Sequence, residues 1–218
     1  MDINCNQNLG FCSRNKKIRF ADDIARNVNK QYPRISHSLV CSMNNSKKFP
    51  HLLSKLDYDI ASLRSIKRDV FELSSNFPIQ VKSLTAPIKM FKVGNCGESA
   101  ELSMLAALAN GIKNCKKCSL KTPNVETYDH GVVLVNDKKP YIIDAWLGFA
   151  DYVPNAIKRY QGEFRHHFDF KELKTEKMVV VPASDKYYTN SFLNNKFSNE
   201  QIEIIKNTLP ELILKKKK

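Results

Sequence analysis

The sequence predicts an α+β domain in which a buried helix headed by Cys96 packs on an antiparallel sheet carrying His130 and Asp144. Three observations point there. The stretch from Cys96 to Asn110 is apolar almost all round beyond its first turn. It starts behind Asn95, with Glu98 three residues later, in the pattern of a capping box. Gly131–Val135 and Tyr141–Trp146 are β-branched runs on either side of the polar turn Asn136-Asp137-Lys138-Lys139-Pro140, which describes a hairpin central to a sheet. Finally, 218 residues with 42% hydrophobic and 10% aromatic content are enough to bury one good core.

Residues 1–50 are rich in Asn, Ser and Lys and show little sustained periodicity, so they read as a partly ordered N-terminal arm with one helix around Ala21–Asn29. From His51 to Ser74, Leu52, Leu53, Leu56, Ile60, Leu63, Ile66, Val70 and Phe71 recur at three- and four-residue spacing, the helical period. Asn76–Lys92 holds Pro78 and Pro87 among short β-prone pieces and reads as an extended connection. The central helix starts at Cys96 and stops at Gly111. Beyond the hairpin, Met178–Val181 reads as a strand and Phe164–Phe170 as a second candidate. Ser198 with Gln201 opens a C-terminal helix carrying Ile202, Ile205 and Leu209. The division is therefore an arm over 1–50, a single domain over 51–214 and a basic tail, Lys215–Lys218, usually a solvated feature. There is no internal repeat.

Composition excludes a wholly disordered chain and, with seven Gly and nine Pro, a collagen-like one. No apolar run approaches the roughly 20 residues that span a membrane. The start, Met-Asp-Ile-Asn-Cys-Asn-Gln-Asn, lacks the basic and apolar regions of a secretory signal, so a cytoplasmic location at the point of synthesis is expected. The formal charge of +13 suits nucleic acid, an anionic membrane surface or an acidic protein. Its source is mostly Lys, 27 against 8 Arg, which weighs against specific nucleic-acid readout and leaves peripheral contact with anionic membrane open. Six cysteines in a chain with no signal are expected to stay reduced.

Cys96, His130 and Asp144 stand out together. A thiol at a helix N-terminus meets the positive end of the helix dipole and the first-turn amides, which favour the thiolate, and the Cys96 amide is placed to help hold an oxyanion. If Val135 faces Lys139, His130 lies directly opposite Asp144; if it faces Tyr141, the two are diagonal neighbours on one face. Val135 opposite Pro140 would put them on opposite faces. An aspartate inside Tyr-Ile-Ile-Asp-Ala-Trp demands a partner, because an unpaired buried carboxylate is costly. Asn95 and Gly97 flank the thiol as candidate oxyanion or substrate contacts, and Trp146, on the Asp144 side of its strand, is a candidate wall of the site.

Gly-Asn-Cys-Gly-Glu-Ser-Ala opening an apolar helix, then Asp-His-Gly-Val-Val-Leu-Val, then Tyr-Ile-Ile-Asp-Ala-Trp, resembles the core of the transglutaminase-like branch of the papain-like cysteine enzymes. The resemblance covers about Val93–Gly148. It implies Cys96 as nucleophile, His130 as general base and acid, and Asp144 as the orienting residue. It further implies a thiol hydrolase or transferase without metal or cofactor that acts on protein amide bonds as a cysteine protease, a glutamine deamidase or a transglutaminase. Members of the superfamily include effectors of bacterial pathogens, which implies a virulence effector that leaves the cell without a cleaved signal and takes a host protein as substrate. The sequence departs from two branches: Lys92-Val93-Gly94-Asn95 stands where acetyltransferases carry Arg-Gly-Gly, and Gly97 stands where animal transglutaminases carry Trp.

Plainer readings stand beside these. Cys115-Lys-Lys-Cys118 has the spacing of half a zinc site or a redox pair, but no second pair accompanies it, and a surface turn is the expectation. Cys5, Cys12 and Cys41 are remote candidates to complete it. His166 and His167 are adjacent, and neighbours on a strand face opposite ways. The alternative function is a non-catalytic basic binding module built on a papain-like fold.

Overall fold

A computed structural model describes residues 16–33, 50–122, 125–162, 179–182, 192–193 and 196–215. Phe164–Phe170, His166, His167, Cys5, Cys12 and Cys41 lie outside these residues. The elements in chain order are α1 (Lys16–Gln31), α2 (Pro50–Leu73), α3 (Phe77–Ser83), α4 (Ala86–Phe91), α5 (Cys96–Ala109), β1 (Cys115–Thr122), β2 (Val125–Val135), β3 (Tyr141–Asp144), β4 (Phe149–Tyr152), α6 (Val153–Gln161), β5 (Val179–Pro182) and α7 (Asn199–Thr208), followed by a 3-10 turn at Pro210–Leu212. The strands form one antiparallel sheet in the order β4-β3-β2-β1-β5, and the class is α+β.

The expected hairpin is β2–β3, with Val135 opposite Tyr141 and Val133 opposite Ile143. This is the register that makes His130 and Asp144 diagonal neighbours. Helix α5 is buried from Glu98 to Ala109, as its all-round apolar surface demands. Glu98 accepts a hydrogen bond from the Asn95 amide at 2.9 Å, closing the start of the helix. At the other end Gly111, at φ +85°, lets the Ile112 amide reach back to the Ala107 carbonyl at 2.9 Å.

The sheet is covered on both faces. Val133, Val135, Tyr141, Ile143 and Ala150 join α1, α2 and α5 in the larger core. Val132, Ile142, Leu120 and Phe149 face the other way and meet Ala156 and Tyr160 of α6.

Several elements differ from expectation for identifiable reasons. The connection 76–92 is two short helices. Pro78 and Pro87 occupy first-turn positions, where a missing N–H costs nothing, and Asn76 caps the first by accepting from the Ile79 amide at 3.2 Å. The helix in the N-terminal segment runs over 16–31 and buries Ile18, Ala21, Ile24, Ala25 and Val28 in the same core as α5. Cys115-Lys-Lys-Cys118 is the start of strand β1 and not a turn. The run from Tyr141 ends as a strand at Asp144 and turns through Ala145–Gly148 into β4.

Candidate active site

Cys96 is the first residue of α5 and is half-buried. The helix head lies on the backbone of β2. A Cβ added at Gly131 would sit 3.1 Å from the Cys96 carbonyl oxygen and 3.1 Å from the Gly97 Cα, so glycine is what allows this approach. His130, the preceding residue, points to the opposite face of the strand, where its Nε2 meets Asp144 Oδ2 at 2.7 Å. Both side chains are 1% exposed. The β2–β3 pairing ends at Val133 and Ile143, so Asp144 lies one residue and His130 three residues past its end, with His130 opposite Leu120 of β1.

Asp144 is held by more than histidine. Its Oδ1 accepts the Trp146 amide at 2.9 Å and the Leu147 amide at 3.0 Å, and its Oδ2 also accepts the Tyr160 hydroxyl at 2.8 Å. Burial opposes the charge on Asp144, but the His130 ring and these donors outweigh it and keep its carboxyl below the usual range. Burial likewise lowers the basicity of His130. The Asp144 carboxylate, their hydrogen bond and the Cys96 side chain, within hydrogen-bonding reach of the ring, more than reverse this and push the imidazole up to about 10. Trp146 and Tyr160 enclose the ring, their centroids 5.5 and 5.6 Å from it.

The chain matches no protein-family profile, no curated protein and no solved structure.

Of the residues singled out in the sequence, Cys96, His130, Asp144 and Trp146 are brought together, with Asn95 as the cap residue of α5. A Cβ added at Gly97 would meet nothing within 4 Å among the described residues. Cys115 and Cys118 are not brought together. They face opposite sides of the sheet, one in each core cluster, and burial raises both thiols, Cys115 to about 12. The described residues contain no group of three or more His, Cys, Asp or Glu placed to hold a metal ion, and no helix among them is long and apolar enough to cross a membrane.

Three contributors escaped sequence reasoning. The signal that could have found Tyr160 is the helical spacing of Val153, Ala156, Ile157 and Tyr160 around Pro154. Gly131 carried no signal beyond its position next to His130. The third is a charged network under the helix head. Glu98 is 3.0 Å from Arg64 Nε and 3.6 Å from Lys67 Nζ, while Glu101 is 2.6 Å from Lys67 and 3.2 Å from Lys117. Lys67 and Lys117 are buried, and their charges, with that of Arg64, keep both carboxyls below the usual range despite burial.

Proposed function

We propose that the chain is a thiol-dependent acyl-transfer enzyme acting on protein amide bonds, with a transglutaminase-like, papain-like core. In this reading Cys96 is the nucleophile, His130 the general acid and base, and Asp144 the residue that orients the imidazole. The observation that supports it most is the buried 2.7 Å pair of His130 Nε2 and Asp144 Oδ2 beside a half-buried thiol at a helix head.

The thiolate attacks the amide carbonyl, and the first-turn amides of α5 face the developing oxyanion. His130, held protonated by Asp144, gives its proton to the departing nitrogen as the C–N bond breaks, leaving a thioester. Water or an amine then attacks the thioester, His130 takes up its proton, and the C–S bond breaks to return the thiolate. Water gives proteolysis or glutamine deamidation; an amine gives transglutamination.

Reaction with a thiol-directed reagent tests the nucleophile. Cys96 is expected to label faster than Cys115 and Cys118, whose burial disfavours their thiolates. Labelling no faster than theirs, together with full activity of Cys96→Ala, overturns the reading. Mass spectrometry of candidate substrates separates the reactions: a backbone cut, a gain of about one dalton at glutamine, or a crosslink.

A further inference from the structure

Helix α5 begins on an unusual concentration of charge. Arg64, Lys67 and Lys117 bring three positive charges to the two carboxylates of Glu98 and Glu101. The two lysines are buried and lie beneath the helix, whereas the Arg64 side chain is 53% exposed. Glu98, two residues after Cys96, folds back onto the Asn95 amide, so its carboxylate lies at the helix head. Arg64 donates to that carboxylate from Nε at 3.0 Å and Nη2 at 3.4 Å, which places the guanidinium at the same spot.

We propose that Arg64 is a specificity residue that pairs with a carboxylate on the substrate, selecting acyl groups with an acidic side chain beside the carbonyl that Cys96 attacks. Glu98 anchors one edge of the guanidinium, and the planar fork is suited to a second carboxylate arriving from solvent. Cys96 is among the groups that stabilise the protonated guanidinium, after Glu98 and Glu101 and against the effect of burial. This inference rests on Cys96 being the nucleophile.

Two alkylating reagents of one shape separate charge from reactivity. Iodoacetate carries a carboxylate next to the carbon attacked, and iodoacetamide carries a neutral amide there. With either, the Sγ–C bond forms as iodide leaves. The ratio of their rates at Cys96, followed by peptide mass spectrometry, is expected to fall about two- to fivefold in Arg64→Gln. It is expected to recover in Arg64→Lys and to stay at the wild-type value in Arg68→Gln, one turn along α2, where Arg68 pairs with Asp69. His130 acts on both reagents in every variant, so the change in ratio isolates Arg64. A ratio unmoved by Arg64→Gln, with Cys96 still labelled, overturns the role of Arg64 alone. Cys96 inert to both reagents in the wild type overturns the nucleophile and this inference with it.

Discussion

Asp144 accepts four hydrogen bonds in a setting where it is 1% exposed, and each donor answers part of the cost of burying a carboxylate. Two come from the turn that follows β3 and belong to the backbone, so side-chain replacement cannot remove them. Tyr160→Phe removes the hydroxyl donor alone. It is expected to cost about 1.5–3 kcal/mol in urea unfolding, the range for hydrogen bonds to charged groups, and an unchanged midpoint would mean that the phenol contributes no net energy to this carboxylate. The His130 pair adds a pH dependence with a defined sign. Its folded value of about 10 lies above the ordinary 6.5, so the folded state holds the proton more tightly. The stabilisation is complete below about pH 6.5 and is lost as pH rises toward 10. The wild-type melting temperature is therefore expected to fall more across that window than that of His130→Gln, and parallel curves would contradict it.

At the scale of elements, the contact between α5 and β2 depends on one missing methyl group. Gly131→Ala puts a Cβ 3.1 Å from backbone atoms of Cys96 and Gly97, and the helix head must shift to admit it. Overpacking of this kind costs about 1–3 kcal/mol, and slower alkylation of Cys96 is expected with it. Gly97→Ala meets no neighbour within 4 Å among the described residues, so its unfolding midpoint is not expected to fall; equal losses in the two variants would show that the contact is not the cause. The ion pairs beneath the same helix obey a different rule. Lys67→Met takes from Glu98 and Glu101 the buried cation they share and is expected to destabilise by about 3–5 kcal/mol, and a further Glu101→Leu, which also takes the partner of Lys117, is expected to cost less than it does alone. Additive losses in that double variant would refute the pairing. Helix α5 and the β2–β3 hairpin were legible in the sequence because each has a clean signal, an all-round apolar helix behind a cap and paired β-branched runs around a polar turn. The register was not legible: direct, diagonal and opposite-face placements of His130 and Asp144 all fitted the residues, and the structure takes the diagonal one. Strand β1 was not legible, since Cys-Lys-Lys-Cys-Ser-Leu-Lys-Thr carries lysines that look solvent-facing; the ammonium of Lys117 lies buried against Glu101 on α5. Such a partner is distant in sequence and invisible to local patterning. The two prolines of 76–92 were read as breakers where they start helices.

Across the whole molecule, α1 decides whether the N-terminal segment is an appendage or part of the core. Its apolar stripe of Ile18, Ala21, Ile24, Ala25 and Val28 is at most 1% exposed. Asp22 accepts the Ala150 amide of β4 at 3.0 Å, and Tyr32, just beyond the helix, donates to Glu211 near the C-terminal end at 2.6 Å. These contacts tie the first described helix to the sheet edge and to the 3-10 turn at Pro210–Leu212. Tryptophan occurs once, as Trp146 beside His130, so its fluorescence reports the site, and far-UV circular dichroism reports the helices. Ile24→Ala removes a fully buried side chain about as far along the chain from Trp146 as the described residues allow, and core truncations of this type cost about 2–5 kcal/mol. If α1 and the site share one cooperative core, both signals move to lower denaturant together and by the same amount. A Trp146 transition left in place while the helical signal shifts would show that α1 unfolds apart from the site, and that the contacts of Asp22 and Tyr32 do not couple them.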